Sequence, residues 1–344
     1  FFIFMAIGIL ILGPMSDKYG RKPVLIASIS ISMIFSAACA FMPNITLLIT
    51  ARAASAFGAG GMVAISTALI KDSYEGKEMS KVLSVTQAFM LIAPMLAPVL
   101  GAIILKVADW KMTFIVLAIL TGVSLVGTFL LQETLPVKER TQSSTIQTIL
   151  GLRKVAKNPN FSSLLLVGAL IAAPFMAYLA LASYIYIDGF GVSETTFSMY
   201  FALNAGASIL GPVMYMRFGA GSVKKVISAG IMVAIISAIL ILTIGNASPI
   251  IFLLSYVLYS IMTSYFRPLI SDLLLSATKT DVGATSSVMN FGFTVIGSIG
   301  MVVGSLQWSS YTGGLGITML IFIALTTAVW FYLLKARSIQ FDWK

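Results

Sequence analysis

Long apolar runs separated by short polar stretches repeat along the whole chain. About 20 apolar residues cross a bilayer as a helix, and on that ruler residues 23–41, 45–70, 82–105 and 112–131 predict four complete spans. Residues 1–12 predict one partial span. They begin without methionine and carry neither a basic flank nor a small-residue cleavage site, so they read as a span cut at its front and not as a signal peptide. Pro43-Asn44 marks a break between spans. Six further spans are predicted over 161–187, 195–216, 223–244, 250–275, 283–305 and 311–334. The organisation expected is an N-terminal transmembrane bundle over 1–131, a polar and basic cytoplasmic linker over 132–160, a C-terminal bundle over 161–335 and a cytoplasmic tail over 336–344.

The first charged cluster, Gly13-Pro14-Met15-Ser16-Asp17-Lys18-Tyr19-Gly20-Arg21-Lys22, holds one acid, three bases and two glycines between apolar runs. It predicts a tight cytoplasmic turn, with glycines that permit close packing and left-handed backbone and charges placed to pair across helix ends. A plainer reading is a topology anchor made of positive charge. With this turn in the cytoplasm, 19 of the 22 Lys and Arg residues fall on the cytoplasmic side; Lys106 and Lys111 fall outside and Arg52 within a span.

Composition agrees with this topology. Hydrophobic residues make up 58% of the 344 positions and charged residues 10%, with a mean hydropathy of +0.99, more than a soluble core requires. The net charge of +10 is scattered between apolar runs, which favours topology over a nucleic-acid partner. One cysteine, Cys39, and no histidine argue against disulfide, metal and redox chemistry, and no cofactor is expected. No Ser/His/Asp set and no phosphate loop is present, so the chain does not read as an enzyme, and any transport would run on an ion or solute gradient.

The stretch 13–22 matches G-x-x-x-D-[RK]-x-G-R-[RK] at every defining position and resembles the signature between the second and third helices of the major facilitator superfamily. That resemblance implies an all-α membrane fold of two six-helix bundles working by alternating access. Twelve spans are then expected, so the first helix and part of the second are expected to be missing. Gly211-Pro212-Val213-Met214-Tyr215 resembles Gly13-Pro14-Met15-Ser16-Asp17 at an offset of 198, as a decayed copy that has lost its acid, and Asp272 ends one span much as Asp72 ends another. Leu48, Arg52 and Gly58 resemble the fourth-helix signature of drug:proton antiporters, with Ser55 and Ala56 departing from its usual Gln and Gly. Pro94, Ala97, Pro98 and Gly101 resemble the antiporter motif of the fifth helix, where proline bends and small residues allow close contact. Trp110, the run Glu133-Thr134-Leu135-Pro136, and Phe201 to Ala205 look like the bicyclomycin and chloramphenicol resistance branch, Bcr/CflA.

The resemblance implies roles. Asp17 would face the amino end of the span beginning near Gly283, and Arg21 would pair with Asp72, so that Gly13, Asp17, Gly20, Arg21, Lys22 and Asp72 latch the cytoplasmic side. As exposed pairs they would be worth ~0.2–1 kcal/mol each. Asp72, Asp188 and Asp272 fall near span ends, and the resembled branch carries its coupling acid in the first helix, with Arg52 as a candidate partner; the other reading of Arg52 is snorkelling to the outer surface. Gln87, Tyr178, Tyr184, Asn204, Tyr259, Arg267 and Asn290 are the candidate cavity residues, against the alternatives of an interfacial aromatic belt and helix-packing amides. Arg267 in a cavity would argue for an anionic or zwitterionic substrate or a buried acid partner; at the surface it is a topology signal. The leading expectation is a monomeric, proton-driven exporter of small amphipathic compounds such as antibiotics in the inner membrane, with its C-terminus cytoplasmic. The competing readings are an uptake permease or symporter and, from another class, a non-transporting membrane protein or inactive fragment.

Overall fold

The structure is a computed structural model that describes residues 1–140, 152–219, 221–276 and 282–336; within these, some side chains of the fourth helix, including Gln87, Pro94 and Pro98, lie outside the described residues. The helices are α1 (Phe2–Tyr19), α2 (Arg21–Cys39), α3 (Ile45–Ser73), α4 (Gly76–Leu105), α5 (Lys111–Leu130), α6 (Pro159–Ser183), α7 (Glu194–Ser208), α8 (Leu210–Phe218), α9 (Val223–Thr243), α10 (Pro249–Ser276), α11 (Val282–Gly304) and α12 (Tyr311–Ala336). The fold is all-α. Among the described residues ten helical stretches are long and apolar enough to cross a membrane; α6 runs on through a π-helical turn to Gly189, and α7 and α8 form one stretch broken at Ile209.

The predicted turn over 13–22 is not a loop. Helix α1 continues through Pro14 to Tyr19, and α2 starts at Arg21, so Gly20 alone separates them. Gly20 has φ +101°, a backbone state that side chains rarely adopt, and one such residue reverses the chain. The partial span expected over 1–12 is accordingly an 18-residue helix. By contrast, the break at Pro43-Asn44 is a true connection, where Asn44 caps α3 by accepting from the Leu47 N–H at 2.9 Å.

The chain divides into two compact units. Unit 1 comprises Phe1–Met79, Ile103–Phe161 and Leu274–Val295; unit 2 comprises Ser80–Ala102, Ser162–Leu273 and Ile296 onward. The units are therefore not consecutive halves: most of α4 belongs with unit 2, and the first half of α11 belongs with unit 1.

Between helices in lipid, apolar burial provides little drive, because the tails are as apolar as leucine; close packing and small residues do the work instead. Unit 1 shows this along α3. A Cβ added to Gly60 would collide with the Met5 carbonyl and stand 2.8 Å from the Ile9 nitrogen of α1, and one added to Gly58 would stand 2.5 Å from the Ser28 carbonyl oxygen of α2. Gly8 of α1 meets the Phe57 backbone in the same way. Around this seam Leu12, Val24, Leu25, Ile29 and Ile65 form the apolar core. In unit 2, Leu170, Ala173 and Phe322 pack with Ile296, Val303 and Val329.

Candidate functional site

At the α1–α2 junction the sequence places Arg21 four residues after Asp17, one helical turn across Gly20. Its guanidinium is 1% exposed and donates from Nη1 to Asp17 Oδ1 at 2.6 Å and from Nε to Asp72 Oδ2 of α3 at 2.7 Å. Nη1 also donates to Ser16 Oγ at 2.8 Å, and Ser16 Oγ donates to the Gly13 carbonyl. The expectation of exposed pairs is thus corrected: the cluster is buried because three helices converge on it. Its energetics are those of a buried network, in which removing one partner costs far more than breaking an exposed pair.

The start of α2 is capped from a distant part of the chain. Glu133 accepts from the backbone N–H of Arg21 at 2.9 Å and of Lys22 at 3.2 Å, and from Leu135 N–H at 3.0 Å, while Arg140 Nη2 lies 3.6 Å from it. A carboxylate there satisfies orphan amides and meets the positive end of the helix dipole. Lys22 donates from Nζ to the Phe129 carbonyl at 2.8 Å. Glu133→Ala is expected to lower stability by about 1–2 kcal/mol, measured as the shift in the thermal unfolding midpoint in detergent; an unchanged midpoint would show that the cap contributes nothing.

Elsewhere in unit 1, a side chain at Gly13 would run into Ser287 of α11. Ser286 Oγ donates to the Ala64 carbonyl at 3.1 Å, and Asn290 Nδ2 donates to Thr67 Oγ1 at 3.2 Å and to the Ser286 carbonyl at 2.9 Å. Lys71 donates to the Leu275 carbonyl at the end of α10. Asn290 therefore belongs to unit 1, and the other predicted cavity residues belong to unit 2. Arg52 lies over the rings of Phe1 at 4.5 Å and Phe114 at 5.5 Å, a cation–π arrangement.

In unit 2 the position that repeats Asp17 is Tyr215, and its hydroxyl donates to Asp272 Oδ2 at 2.6 Å; Ser80 Oγ of α4 donates to the same oxygen at 2.6 Å. Where unit 1 bridges two acids through an arginine, unit 2 joins helix ends through hydroxyls on one acid.

Unit 2 also holds an aromatic set. Tyr178 of α6 stacks between Tyr256 of α10, with centroids 4.0 Å apart, and Phe201 of α7, at 5.4 Å. Tyr186 stacks on Tyr200 at 5.2 Å and meets Phe252 edge-on. Tyr178, Tyr186, Tyr256, Tyr259 and Asn204 are buried. Tyr259 donates its hydroxyl to the Ile171 carbonyl. Tyr184 is half exposed and packs against Tyr311, outside that set. Ala97 is exposed and Gly101 half-buried on α4, whose neighbours Gln87, Pro94 and Pro98 fall on side chains outside the described residues.

Sequence reasoning quoted Glu133 only within a resemblance and did not single out Ser16, Ser80, Tyr186 or Tyr256 as site residues. The readable signal was the spacing of Tyr256, Ser260, Thr263 and Arg267, which repeats at one face of a helix. Among the described residues no group of three or more His, Cys, Asp or Glu side chains is placed to hold a metal ion.

Comparison with known proteins adds a family. The Major Facilitator Superfamily model matches residues 1–301. An uncharacterized MFS-type transporter, YdgK of Bacillus subtilis (strain 168), is 34% identical over 244 residues, which cover 70% of this chain and 60% of that relative, so the match spans less than two thirds of its length. The multidrug resistance protein MdtM of Escherichia coli O157:H7 is 25% identical over 312 residues, covering 88% of this chain and 75% of the relative. Among solved structures, the human organic anion transporter MFSD10 (TETRAN) superposes with a TM-score of 0.78 at 20% identity, over 96% of this chain and 82% of its own; that likeness speaks to the fold.

Proposed function

Because this chain belongs to the major facilitator superfamily, we propose that it is a proton-coupled exporter of small hydrophobic or amphipathic compounds, of the Bcr/CflA type, in the inner membrane with its C-terminus in the cytoplasm. It acts as a monomer by alternating access. The observation that carries this reading is the buried ring stack Phe201–Tyr178–Tyr256, which offers aromatic faces beside hydroxyls inside a membrane protein. Such a surface takes flat, weakly polar molecules of several kinds. Relatives named for multidrug resistance support it.

The charge cluster supplies the conformational part. Asp17, Arg21 and Asp72 tie α1, α2 and α3 together, while Gly13 lets α11 approach α1. In the proposed cycle these contacts hold one state, and proton and substrate binding bias the equilibrium away from it. Arg52, within a span, partners the coupling site.

The test is proton flux in inverted vesicles across a panel of amphipathic antibiotics. Drug addition to wild-type vesicles with an acidic lumen is expected to alkalinise the lumen, and Arg52→Ala and Asp17→Asn are expected to abolish the signal. Folded wild-type protein that gives no drug-linked proton movement would overturn antiport.

A further inference from the structure

Between Glu139 and Asp188 the chain carries no acidic residue, and within that acid-free stretch Arg153, Lys154 and Lys157 fall inside five positions. They sit on a short helical segment, 152–157, immediately before α6. Leu152 is buried and Val155 half-buried, three residues apart on one face, whereas Arg153, Lys154, Ala156 and Lys157 are exposed. The segment is two-sided: apolar toward the protein and basic toward its surroundings.

Its join to the membrane span is short and fixed. The Asn158 N–H donates to the Val155 carbonyl at 3.1 Å, and Asn158 Oδ1 accepts from the Asn160 N–H at 3.0 Å and the Phe161 N–H at 3.4 Å, which caps the start of α6. Phe161, 1% exposed, begins the apolar run of that span. Lys157 is four residues before it, so the three bases stand at the depth of the lipid headgroups.

Other basic residues of unit 1 are already engaged. Arg21 is spent on Asp17 and Asp72, Arg140 lies against Glu133, and Lys22 donates to the Phe129 carbonyl. Lys18, Lys77 and Lys138 each neighbour an acid in the chain. Among the described residues Arg153, Lys154 and Lys157 form no ion pair. A topology signal needs only positive charge near the membrane. Here geometry is added: three charges are held on the exposed side of about one helical turn, ~6 Å along the axis, with every acid removed from the sequence around them. A polyanion would have to arrive from solution, whereas lipid headgroups already surround the span.

We propose that segment 152–157 is a docking surface for anionic phospholipid headgroups, with Leu152 and Val155 holding it to the protein and Arg153, Lys154 and Lys157 gathering the lipid. Each base beside an anionic surface adds a modest attraction, so the three together select charged over neutral lipid without fixing single molecules. The surface depends neither on the direction of transport nor on its coupling.

The test is lipid selection in nanodiscs around the full chain, with Cys39→Ser and Ala156→Cys and a fluorophore attached at position 156. Discs of mixed phosphatidylglycerol and phosphatidylcholine, in which one lipid or the other carries a nitroxide quencher near its headgroup, report the composition beside the label. Phosphatidylglycerol is expected to be enriched about fivefold over its share. Arg153→Gln, Lys154→Gln and Lys157→Gln together are expected to bring that ratio to about one, as is salt at about 1 M, which shortens the screening length to about 3 Å. A label placed instead through Asn246→Cys, on the α9–α10 connection, is expected to show no enrichment. Equal quenching by the two lipids at position 156, a preference that persists in the folded triple glutamine variant, or equal enrichment at the two labelled positions would each overturn the proposal. A preference displaced by inorganic phosphate at matched ionic strength would assign the bases to free anions and overturn it too. Should the triple variant fail to fold, Arg153→Glu alone is expected to lower the enrichment at least about twofold, and an unchanged ratio there overturns the proposal.

Discussion

Arg21→Met is expected to lower the unfolding free energy by about 3–5 kcal/mol, because it removes the guanidinium that bridges two carboxylates in a buried site. The Asp17 and Asp72 side chains are 9% and 10% exposed, and each accepts a hydrogen bond from the guanidinium, so without it each loses a close positive charge and that hydrogen bond. The measurement is unfolding of purified protein in mixed micelles, followed by retention of the monodisperse peak. A triple variant, Arg21→Met with Asp17→Asn and Asp72→Asn, is expected to recover most of the loss, since removing the charges together also removes the desolvation penalty. A loss below about 1 kcal/mol for Arg21→Met would instead show that the cluster behaves as an exposed pair does.

Gly60→Val is expected to cost about 3 kcal/mol, at the upper end of what overpacking does in a close-packed interior. The added Cβ meets the Met5 carbonyl and the Ile9 nitrogen, and these are backbone atoms that cannot rotate away. Relief requires α1 to move off α3, which also opens the facing contact at Gly8. Gly127→Val provides the control. Nothing lies within 4 Å of a Cβ there, so the change in the unfolding midpoint should be small; comparable losses at both positions would attribute the effect to β-branching and not to the seam.

Both predictions rest on features the sequence disclosed unequally. Span positions were legible because a bilayer demands long apolar runs, and most helix ends fall within a few residues of the expected ones. Helix α4 is a larger exception. It begins at Gly76, six residues before the expected start at 82, because a helix can carry polar residues such as Lys77 and Glu78 into the headgroup region, and Glu78 is favoured in a first turn. The stretch 13–22 departs from its predicted turn for the same reason. Its charges look like a loop, yet their partners let the helices run to within one residue of each other.

Those partners were legible only where spacing along one helix reveals them. Asp17 and Arg21 are four residues apart, so their pairing is local. Glu133 lies 112 positions from the amide it caps, and no periodicity reaches that far. Tyrosine is equally hard to read, since the same residue type serves as belt, core or ligand surface. Tyr184 and Tyr186 are two residues apart, yet one is half exposed and the other buried in a stack; the π-helical turn that carries them decides which is which.

The junction at Gly20 has a consequence for how proteins of this kind can vary. One residue more or fewer there would rotate α2 by about 100° and shift it by about 1.5 Å relative to α1. Arg21 would swing out from between its two acids, and the first amides of α2 would leave the Glu133 carboxylate. Substitution along α1 and α2 can be absorbed by repacking, whereas an insertion or deletion between them cannot. Connections such as Ala40 to Asn44, whose cap comes from within the connection itself, are where a change of length is expected to be tolerated, and the α1–α2 hairpin is expected to keep a fixed length.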